Sequence, residues 1–261
     1  MRCTIKHGDC QKHLLSVMGA QLCYIDPPFL SRKDYSTRGG ELAFSDKWKS
    51  ESAYLDFLVP RVFDAWDHTS GSLVLHVDSR MAAAVECALA ALGNCASRII
   101  WRYRRWPSKT RNFQRVHDVL LRWARPDAPW NQLYEPLAAS TVRKFGTTKQ
   151  DAQFRDGKRA VSRRTTEESL GTPMGDVWDI PIIAPRAAER TGYPTQKPRA
   201  LLDRLVLSCT NSGGLVLDPM MGSGSMLEAA LENDRNAIGI DQSPVAIRYA
   251  EKRLARFMEA A

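Results

Sequence analysis

The sequence predicts an α/β fold in which helices cover both faces of a doubly wound, mostly parallel sheet. Short apolar segments with strand character alternate with amphipathic segments of helical spacing along most of the chain. The apolar segment at residues 22–25 stops at two consecutive prolines, which is typical of a buried parallel strand with a loop at its carboxyl end. Near the C-terminus, the apolar segment at residues 215–217 leads through a glycine turn into a helix.

Seven segments have strand character, because each is short, apolar and bounded by polar residues, glycine or proline. They lie at residues 4–7, 22–25, 73–77, 98–103, 119–123, 215–217 and 237–240. Segments with apolar residues at helical spacing lie at residues 51–67, 81–92, 198–209, 225–232 and 245–258. Leu14, Leu15 and Met18 suit one face of a further helix, and the polar residues 30–50 predict a mobile loop.

Composition and charge limit the class of protein. The 261 residues are enough for one large domain, and 44% hydrophobic with 25% charged residues is ordinary for a globular protein. The formal net charge of +8 favours a polyanionic partner such as nucleic acid. The six cysteines form no CxxC pair, so we expect reduced thiols in the cytoplasm, without disulfides or a metal site. Neither a signal-peptide core nor a membrane-spanning apolar run is seen, so no membrane partner is expected.

A glycine loop, Asp218-Pro219-Met220-Met221-Gly222-Ser223-Gly224-Ser225, follows the strand predicted at residues 215–217. Glycines let the backbone approach a ligand, and the first amides of the next helix are unpaired donors. A phosphate-binding loop needs Gly-Lys-Ser/Thr and a dinucleotide loop needs a third spaced glycine, and both features are missing. A carboxylate at the strand end, with Asp241 ending the next strand, suits a cationic ligand with ribose hydroxyls, such as S-adenosylmethionine. A purely structural turn is the alternative.

The position of this loop is also informative. Too little chain follows it to complete a sheet, so the N-terminal half must supply the remaining strands. The cofactor half therefore comes last in the sequence and the catalytic half comes first.

The loop Asp26-Pro27-Pro28-Phe29 carries the sharpest chemical signal. Two prolines fix the backbone and remove N–H donors, which leaves carbonyl oxygens without local partners. The Asp26 carboxylate and a neighbouring carbonyl can accept both hydrogens of an exocyclic amino group, and the nitrogen lone pair then faces a methyl donor. The Phe29 ring offers a flat face on which a base can stack. The alternative is a proline-bound turn that merely ends the strand.

Residues 125–191 differ from the rest of the chain, because they are rich in Pro, Gly, Arg and Lys and lack long apolar periodicity. Basic side chains in this stretch are Arg143, Lys144, Lys149, Arg155, Lys158, Arg159, Arg163 and Arg164. From charge alone, the stretch is a solvated surface insertion into a single domain that spans residues 1–261.

Seven motifs follow one another along nearly the whole chain. They are Gly8-Asp-Cys10, Tyr24-Ile-Asp-Pro-Pro-Phe29, Ala43-Phe-Ser-Asp-Lys-Trp48, Trp101-Arg-Tyr-Arg-Arg-Trp-Pro107, Asn112-Phe-Gln-Arg-Val-His117, Thr191-Gly-Tyr-Pro-Thr-Gln-Lys-Pro198 and Asp218-Pro-Met-Met-Gly-Ser-Gly224. In this set and order, the sequence resembles the amino-methyltransferases of DNA. It resembles the group whose catalytic loop precedes the cofactor loop, often called the beta group.

The resemblance implies a Rossmann-like, S-adenosylmethionine-dependent methyltransferase fold with a seven-stranded sheet and a circularly permuted motif order. It also implies that the catalytic residues Asp26, Pro27, Pro28 and Phe29 hold the target base. The expected cofactor-binding residues are Asp9, Cys10, Thr195, Gln196, Lys197, Asp218, Pro219, Met220, Gly222, Ser223, Gly224, Ser225 and Asp241. Two of them depart from the family pattern: Met220 stands where phenylalanine is usual, and Ser225 where threonine is common.

Two regions are expected to contact DNA. Residues 101–115 interleave basic and aromatic side chains, which suits phosphates and unstacked bases, although a strand with arginines lying along it would look similar. The insertion at residues 125–191 lies where such enzymes carry target recognition. The expected DNA-binding residues are Arg102, Arg104, Arg105, Lys109, Arg111, Arg115, Arg143 and Lys144.

Together these features predict a site-specific DNA methyltransferase that modifies N6 of an adenine flipped out of duplex DNA. An aspartate at the start of the catalytic loop favours adenine, because serine is more usual in N4-cytosine enzymes of this group. The alternatives are N4-cytosine methylation, an RNA or protein-amide methyltransferase, and a catalytically inactive DNA-binding or accessory subunit. The resemblance also suggests a homodimer and a cognate restriction endonuclease as partners.

Overall fold

The computed structural model describes residues 1–107, 109 and 111–258. Its strands are β1 (Cys3–His7), β2 (Ala20–Ile25), β3 (Asp34–Ser36), β4 (Leu42–Ser45), β5 (Thr69–Asp78), β6 (Ser97–Arg102), β7 (His117–Ala124), β8 (Tyr134–Glu135), β9 (Thr148–Arg155), β10 (Lys158–Glu168), β11 (Thr172–Pro173), β12 (Val177–Asp179), β13 (Leu215–Asp218) and β14 (Asn236–Asp241). Its α-helices are α1 (Cys10–Leu14), α2 (Glu51–Asp67), α3 (Ala82–Ala88), α4 (Ala139–Phe145), α5 (Arg199–Cys209), α6 (Ser225–Glu232) and α7 (Pro244–Met258), with a short 3₁₀ helix at Ala90–Leu92.

The chain divides into two compact units. The larger contains Met1–Asn131 and the chain from Asp176 onward, and the smaller contains Gln132–Gly175. The smaller unit lies inside the insertion predicted at residues 125–191, and both ends of that insertion belong to the larger unit. Within the described ranges, no helix is long and apolar enough to cross a membrane.

Eight strands of the larger unit form one sheet in the order β1-β14-β13-β2-β5-β7-β6-β12. Neighbouring strands are parallel except at β7, which runs antiparallel to both β5 and β6. The mostly parallel α/β sheet is thus confirmed. It has one strand more than the seven predicted, because Val177–Asp179 pairs with β6 although it lies in the predicted insertion.

Both faces of the central strands are buried. In β2, Cys23 and Ile25 pack in a cluster with α1, α2 and α3, whereas Leu22 and Tyr24 are equally buried on the opposite face, where α5 contacts the same strand. A strand covered on both sides must be apolar at successive positions, which explains the continuous apolar run in the sequence.

Helix α2 has the predicted bounds. Its N-terminus is capped by the Ser50 hydroxyl oxygen, which accepts a hydrogen bond from the Ala53 amide at 3.0 Å. Its buried side chains, Tyr54, Leu58, Val62 and Ala65, lie at helical spacing and face the sheet. Pro60 lies inside the helix without ending it.

Three local predictions were wrong. Leu15 and Met18 are 78% and 79% exposed, because α1 ends early and Val17 takes the buried position. Residues 30–50 hold the antiparallel hairpin β3–β4, in which the Tyr35 and Phe44 rings stack at 4.9 Å. The helix predicted at residues 81–92 is divided, since α3 stops at Ala88 and a 3₁₀ turn follows.

The smaller unit contains α4 and two antiparallel pairs, β9 with β10 and β8 with β11. Lys149 of its basic run is ion-paired with Glu167 at 3.2 Å. The side chains of Arg155, Arg159, Arg163 and Arg164, also in the predicted basic run, lie outside the described residues.

Candidate active site

A cavity of about 370 Å³ lies at the carboxyl edge of the sheet. Residues that follow β1, β2, β13 and β14 form it, because the carboxyl ends of parallel strands meet at one edge. Its lining includes every predicted catalytic and cofactor-binding residue except Gly224, namely Asp9, Cys10, Asp26, Pro27, Pro28, Phe29, Thr195, Gln196, Lys197, Asp218, Pro219, Met220, Gly222, Ser223, Ser225 and Asp241. Motifs that are far apart in the sequence therefore meet in one site.

Asp26 directly follows β2, and Lys197 holds its carboxylate from one side. The Lys197 ammonium is ion-paired with Asp26 Oδ2 and lies 5.5 Å from the centre of the Phe29 ring. The Lys197 side chain is 9% exposed, so the pair is largely shielded from solvent. Thr195, with a left-handed φ of +55°, turns the backbone just before Lys197. The sequence predicted Lys197 as a cofactor-binding residue, and the structure also places it against Asp26, the predicted catalytic carboxylate.

Carboxylates at two strand ends hold the glycine loop. Asp218 is 2% exposed, and its Oδ1 accepts a hydrogen bond from the Met220 amide at 3.1 Å. Asp241 accepts hydrogen bonds from the amides of Gly222 at 2.9 Å and Ser243 at 2.8 Å. Burial raises the pKa of both carboxyl groups, and that of Asp218 lies well above its ordinary value. Both groups line the cavity and fix the loop at the same time.

Gly224 belongs to the same loop but does not line the cavity. Its φ is +74°, and a Cβ at this position would lie 3.1 Å from Ala250 Cβ and 3.4 Å from Leu254 Cδ1. The left-handed φ and the close approach of α6 to α7 therefore both favour glycine here. Gly222, with a φ of +50°, does line the cavity, and a Cβ there would lie 3.3 Å from the Tyr193 ring.

Asp9 and Cys10 form the part of the cavity that follows β1. Asp9 caps α1, because its Oδ1 accepts a hydrogen bond from the Gln11 amide at 3.0 Å. Its Oδ2 lies 3.2 Å from Nη2 of Arg61, a cavity residue on α2 that no motif of the sequence singled out. Burial raises the pKa of the Cys10 thiol to about 11, so this side chain acts as an uncharged wall.

The hairpin β3–β4 and its exit contribute cavity residues that were quoted in the resemblance without a role. Asp46 is 2% exposed and accepts a hydrogen bond from the Ser31 hydroxyl at 2.8 Å. Burial raises the pKa of its carboxyl group to about 6. Trp48 packs edge-on against Tyr54 of α2 at 5.5 Å, which fixes the hairpin exit against the core.

The cavity is acidic although the chain carries a net charge of +8. Its ionisable lining residues, cysteines and tyrosines apart, are the carboxyl groups of Asp9, Asp26, Asp46, Asp218 and Asp241 and the cations Arg61 and Lys197. An excess of carboxylates in a concave, shielded site attracts a positively charged ligand. In the part of the chain that the structure describes, no group of His, Cys, Asp or Glu side chains could hold a metal ion.

Most of the predicted DNA-binding residues lie at or beyond the end of β6 and before β7. They are Arg102, Arg104, Arg105, Lys109, Arg111 and Arg115, and each is exposed. On the same connection, Trp106 is 91% exposed and Phe113 is 97% exposed. The connection is closed by backbone pairing, since the Tyr103 amide donates to the Val116 carbonyl at 2.8 Å.

Some of these cations have acidic neighbours. Arg102 lies 3.2 Å from Asp179, and Nη1 of Arg115 lies 3.2 Å from both carboxylate oxygens of Asp78. Arg143 and Lys144 belong to the last turn of α4 in the smaller unit. The structure therefore brings the predicted catalytic and cofactor-binding residues together at one cavity. Their roles, like those of the predicted DNA-binding residues, remain predictions.

A family model described as DNA methylase, covering N6- and N4-methyltransferases, matches residues 20–252. The match includes the catalytic loop, the glycine loop and most of the sheet. The chain belongs to this DNA methylase family.

Individual proteins are similar to this DNA methylase over nearly its whole length. The DNA adenine methyltransferase YhdJ of Escherichia coli K12 is 25% identical over 264 residues, which cover 96% of this chain and 82% of the relative. The solved M1.HpyAVI–SAM complex has a TM-score of 0.61 at 18% identity and covers 97% of this chain and 98% of its own. The cytosine-N4-specific PvuII DNA methyltransferase has a TM-score of 0.65 at 13% identity and covers 97% and 86%. At these identities the solved structures show a shared fold.

The cavity fits S-adenosylmethionine, the methyl donor of this DNA methylase. The donor carries a sulfonium and an ammonium group, and the excess of carboxylates provides the complementary charge. Met220, where the family usually has phenylalanine, is partly buried against the core and still lines the cavity with an apolar side chain. Its presence therefore preserves the apolar character of this wall.

Proposed function

We propose that this DNA methylase transfers a methyl group from S-adenosylmethionine to N6 of an adenine flipped out of duplex DNA. The observation that supports this most directly is the state of the Asp26 carboxylate at the cavity. Oδ2 is ion-paired with Lys197, and Oδ1 accepts no hydrogen bond from any described residue. One carboxylate oxygen thus remains available for an amino group, next to the Phe29 ring.

The chain's own residues act by positioning the base. Asp26 Oδ1 and the Pro27 carbonyl accept the two amino hydrogens, which directs the nitrogen lone pair away from them, and Phe29 stacks on the ring. The bound donor supplies an activated methyl group on a sulfonium. As the new N–C bond forms, the nitrogen loses one proton, and we assign the Asp26 carboxylate as its acceptor. No covalent enzyme intermediate is required.

The choice of adenine rests on the first residue of the catalytic loop. Asp26 stands where N4-cytosine enzymes of this group more often carry serine. A relative that covers nearly the whole chain is named a DNA adenine methyltransferase, which agrees with this choice. N4-cytosine methylation is the other outcome that the experiment below distinguishes.

The connection between β6 and β7 is proposed as the DNA-facing surface of the larger unit. A base in the duplex has its amino group inside the stack, so it must be flipped out at a cost of a few kcal/mol. Exposed arginines suit the phosphates, and the exposed aromatic side chains of Trp106 and Phe113 suit unstacked bases near the flipped nucleotide.

The test is methylation of unmethylated genomic DNA with labelled donor, followed by digestion to nucleosides. We expect labelled N6-methyladenine from the natural chain and none from Asp26→Asn, which keeps the shape of the side chain but removes its charge. Asp203→Asn is the matched control, because Asp203 is ion-paired with Arg199 on α5 and does not line the cavity. It should retain activity.

Other outcomes are equally informative. Label found only in N4-methylcytosine would contradict the choice of adenine while leaving the DNA methylase reaction intact. If Asp26→Asn methylated DNA as fast as Asp203→Asn, the assigned role of Asp26 would be wrong.

A further inference from the structure

A buried histidine lies directly behind the catalytic loop. His76 on β5 is 0% exposed, and its ring is 5.7 Å from the Phe29 ring and 5.5 Å, edge-on, from the Trp101 ring of β6. Tyr24 of β2 and Asp118 of β7 approach its two nitrogen atoms from neighbouring strands. In the sequence it is the single polar residue of the apolar segment at residues 73–77.

The Nδ1 edge of His76 faces Tyr24 and Asp26. The Tyr24 hydroxyl lies 2.8 Å from Nδ1, and Asp26 Oδ1 lies 3.9 Å from the same atom. Burial raises the pKa of Tyr24 well above its ordinary value, so the phenol keeps its proton and can donate a hydrogen bond to Nδ1. In a neutral imidazole, this leaves the ring proton on Nε2.

The Nε2 edge faces Asp118. Nε2 lies 3.4 Å from Asp118 Oδ2, a long approach, and among the described residues it has no well-formed hydrogen bond. Burial raises the pKa of Asp118, but its contacts with His76 and Tyr103 and the charge of Lys197 outweigh burial, and the net pKa is lowered. Asp118 is therefore a carboxylate, which attracts an N–H group and repels a nitrogen lone pair. Asp118 is the nearer of the two carboxylates that face the ring, because Asp26 Oδ1 lies 3.9 Å from Nδ1. With the Tyr24 hydroxyl donating to Nδ1, the arrangement favours the Nε2–H tautomer.

We propose that His76 is a positioning residue, which Tyr24 and Asp118 hold in the Nε2–H tautomer so that Nδ1 has no proton to donate to Asp26. The inference rests on the proposed function of Asp26 as the acceptor of the target amine. Oδ2 is already ion-paired with Lys197, and Oδ1 faces His76 Nδ1. A proton on Nδ1 would bind Oδ1 and compete with the amine for it.

Asp118→Asn tests the proposal, because the amide can donate to Nε2 and drive the ring proton to Nδ1. We expect kcat to fall about 10- to 100-fold, with the KM for DNA and the Kd for the donor within about two-fold of the natural chain. Ser72→Ala is the matched control. Ser72 lies on β5, the strand that carries His76, and its hydroxyl accepts a buried hydrogen bond from Arg122. The substitution removes this bond, which is remote from Asp26, so kcat should be unchanged.

The tautomer itself can be read by two-bond ¹H–¹⁵N correlation spectra of the protein labelled in its five histidines, with His76 assigned from a His76→Asn sample. We expect an Nε2–H ring in the natural chain and an Nδ1–H ring in Asp118→Asn. If Asp118→Asn does not fold, Tyr24→Phe serves instead. It removes the donor to Nδ1, and we expect the Nε2–H signal to weaken and kcat to fall.

An imidazolium or an Nδ1–H ring in the natural chain would overturn the proposal, and so would an unchanged kcat in a variant whose tautomer has shifted. The spectrum reports the tautomer whether or not DNA is methylated. Failure of the natural chain to methylate DNA would instead contradict the proposed function, so the two failures are distinguishable.

Discussion

The ammonium group of Lys197 is ion-paired with Oδ2 of Asp26, a residue 171 positions away in the sequence. The contact joins the Thr195–Lys197 segment, expected to bind the cofactor, to the loop expected to bind the base. It explains how one carboxylate oxygen can be occupied while the other stays available. The segments expected to form the cofactor and base subsites are therefore joined by an ion pair.

Removing the Lys197 ammonium should slow methyl transfer. Lys197→Met leaves Asp26 without its partner and the Phe29 ring without its cation, so we expect kcat to fall about 10- to 100-fold. Lys47→Met is the matched control, because it also removes a lysine paired with an aspartate, Asp34, but the pair is 60% and 44% exposed. Steady-state kinetics on both variants decide the matter. Equal kcat values would show that the Asp26 pair has no part in the reaction.

The affinity for S-adenosylmethionine should fall as pH falls. Burial raises the pKa of Asp218 and Asp241 in the cavity, so acid protonates them earlier than ordinary carboxyl groups, and the cavity then attracts a cation less strongly. Titration calorimetry at about pH 8 and about pH 6 measures the change in Kd. Methylthioadenosine, which has no sulfonium or ammonium group, should show a smaller change. An equal change for both ligands would exclude this electrostatic origin.

The Asp46 carboxyl group should lower the free energy of unfolding once the pH rises above about 6. Its pKa is about 6 in the folded protein, above the ordinary 3.8, so the folded state holds the proton more tightly. This group therefore favours folding at low pH, and the contribution is lost as pH rises through about 6. Asp46→Asn should raise the free energy of unfolding by up to about 3 kcal/mol near pH 8 and leave it unchanged near pH 4.

The control for this prediction lies on the same hairpin. The hydrogen bonds from Lys47 and Ser45 lower the pKa of Asp34, so Asp34→Asn should reduce stability near neutral pH, the opposite sign. Urea unfolding of both variants across pH is the measurement. The same sign for both variants at about pH 8 would contradict the assignment.

Substitutions at Gly213 and Gly224 allow the cost of a strained backbone to be measured separately from the cost of side-chain crowding. Gly224 and Gly213 have φ of +74° and +76°, but a Cβ on Gly213 meets nothing within 4 Å, whereas one on Gly224 lies 3.1 Å from Ala250. Gly213→Ala should cost about 1–2 kcal/mol for its left-handed backbone, and Gly224→Ala about 1–3 kcal/mol more. Denaturant midpoints measure both. Equal costs would mean that α7 moves away without penalty.

The sequence was sufficient to place a site residue where the strand, the turn and the side chain of interest lie next to one another. The strand, the turn and the carboxylate of Asp26 are adjacent, and the same holds for the loop after Asp218, so both were placed correctly at the cavity. The continuous apolar character of β2 and the helical spacing in α2 also depend on local pattern, and the boundaries of α2 were predicted to the residue.

Residues that reach the site only through tertiary contacts have no comparable local pattern in the sequence. Nothing in the sequence around Arg61 indicates a role at the site, because only the fold places its guanidinium group 3.2 Å from the Asp9 carboxylate. His76 is the single polar residue of the apolar segment at residues 73–77, and its role becomes visible only because β2 and β7 bring Tyr24 and Asp118 to its ring. Likewise, the three residues of β12 form a strand only because β6 offers an edge, which no periodicity within residues 125–191 could indicate.

The strand order has a consequence for synthesis. β2, which ends at the predicted catalytic loop, lies between β5 and β13, and β1 pairs with β14. Two strands from residues 215–241 therefore pair with strands that are made much earlier in synthesis. Until they emerge, one long edge of an apolar strand stays unpaired and the cavity lacks its glycine loop. A chain that stops before residues 215–241 therefore has an exposed apolar strand edge and only part of the cavity lining, so the cavity is completed in one step when these strands pair.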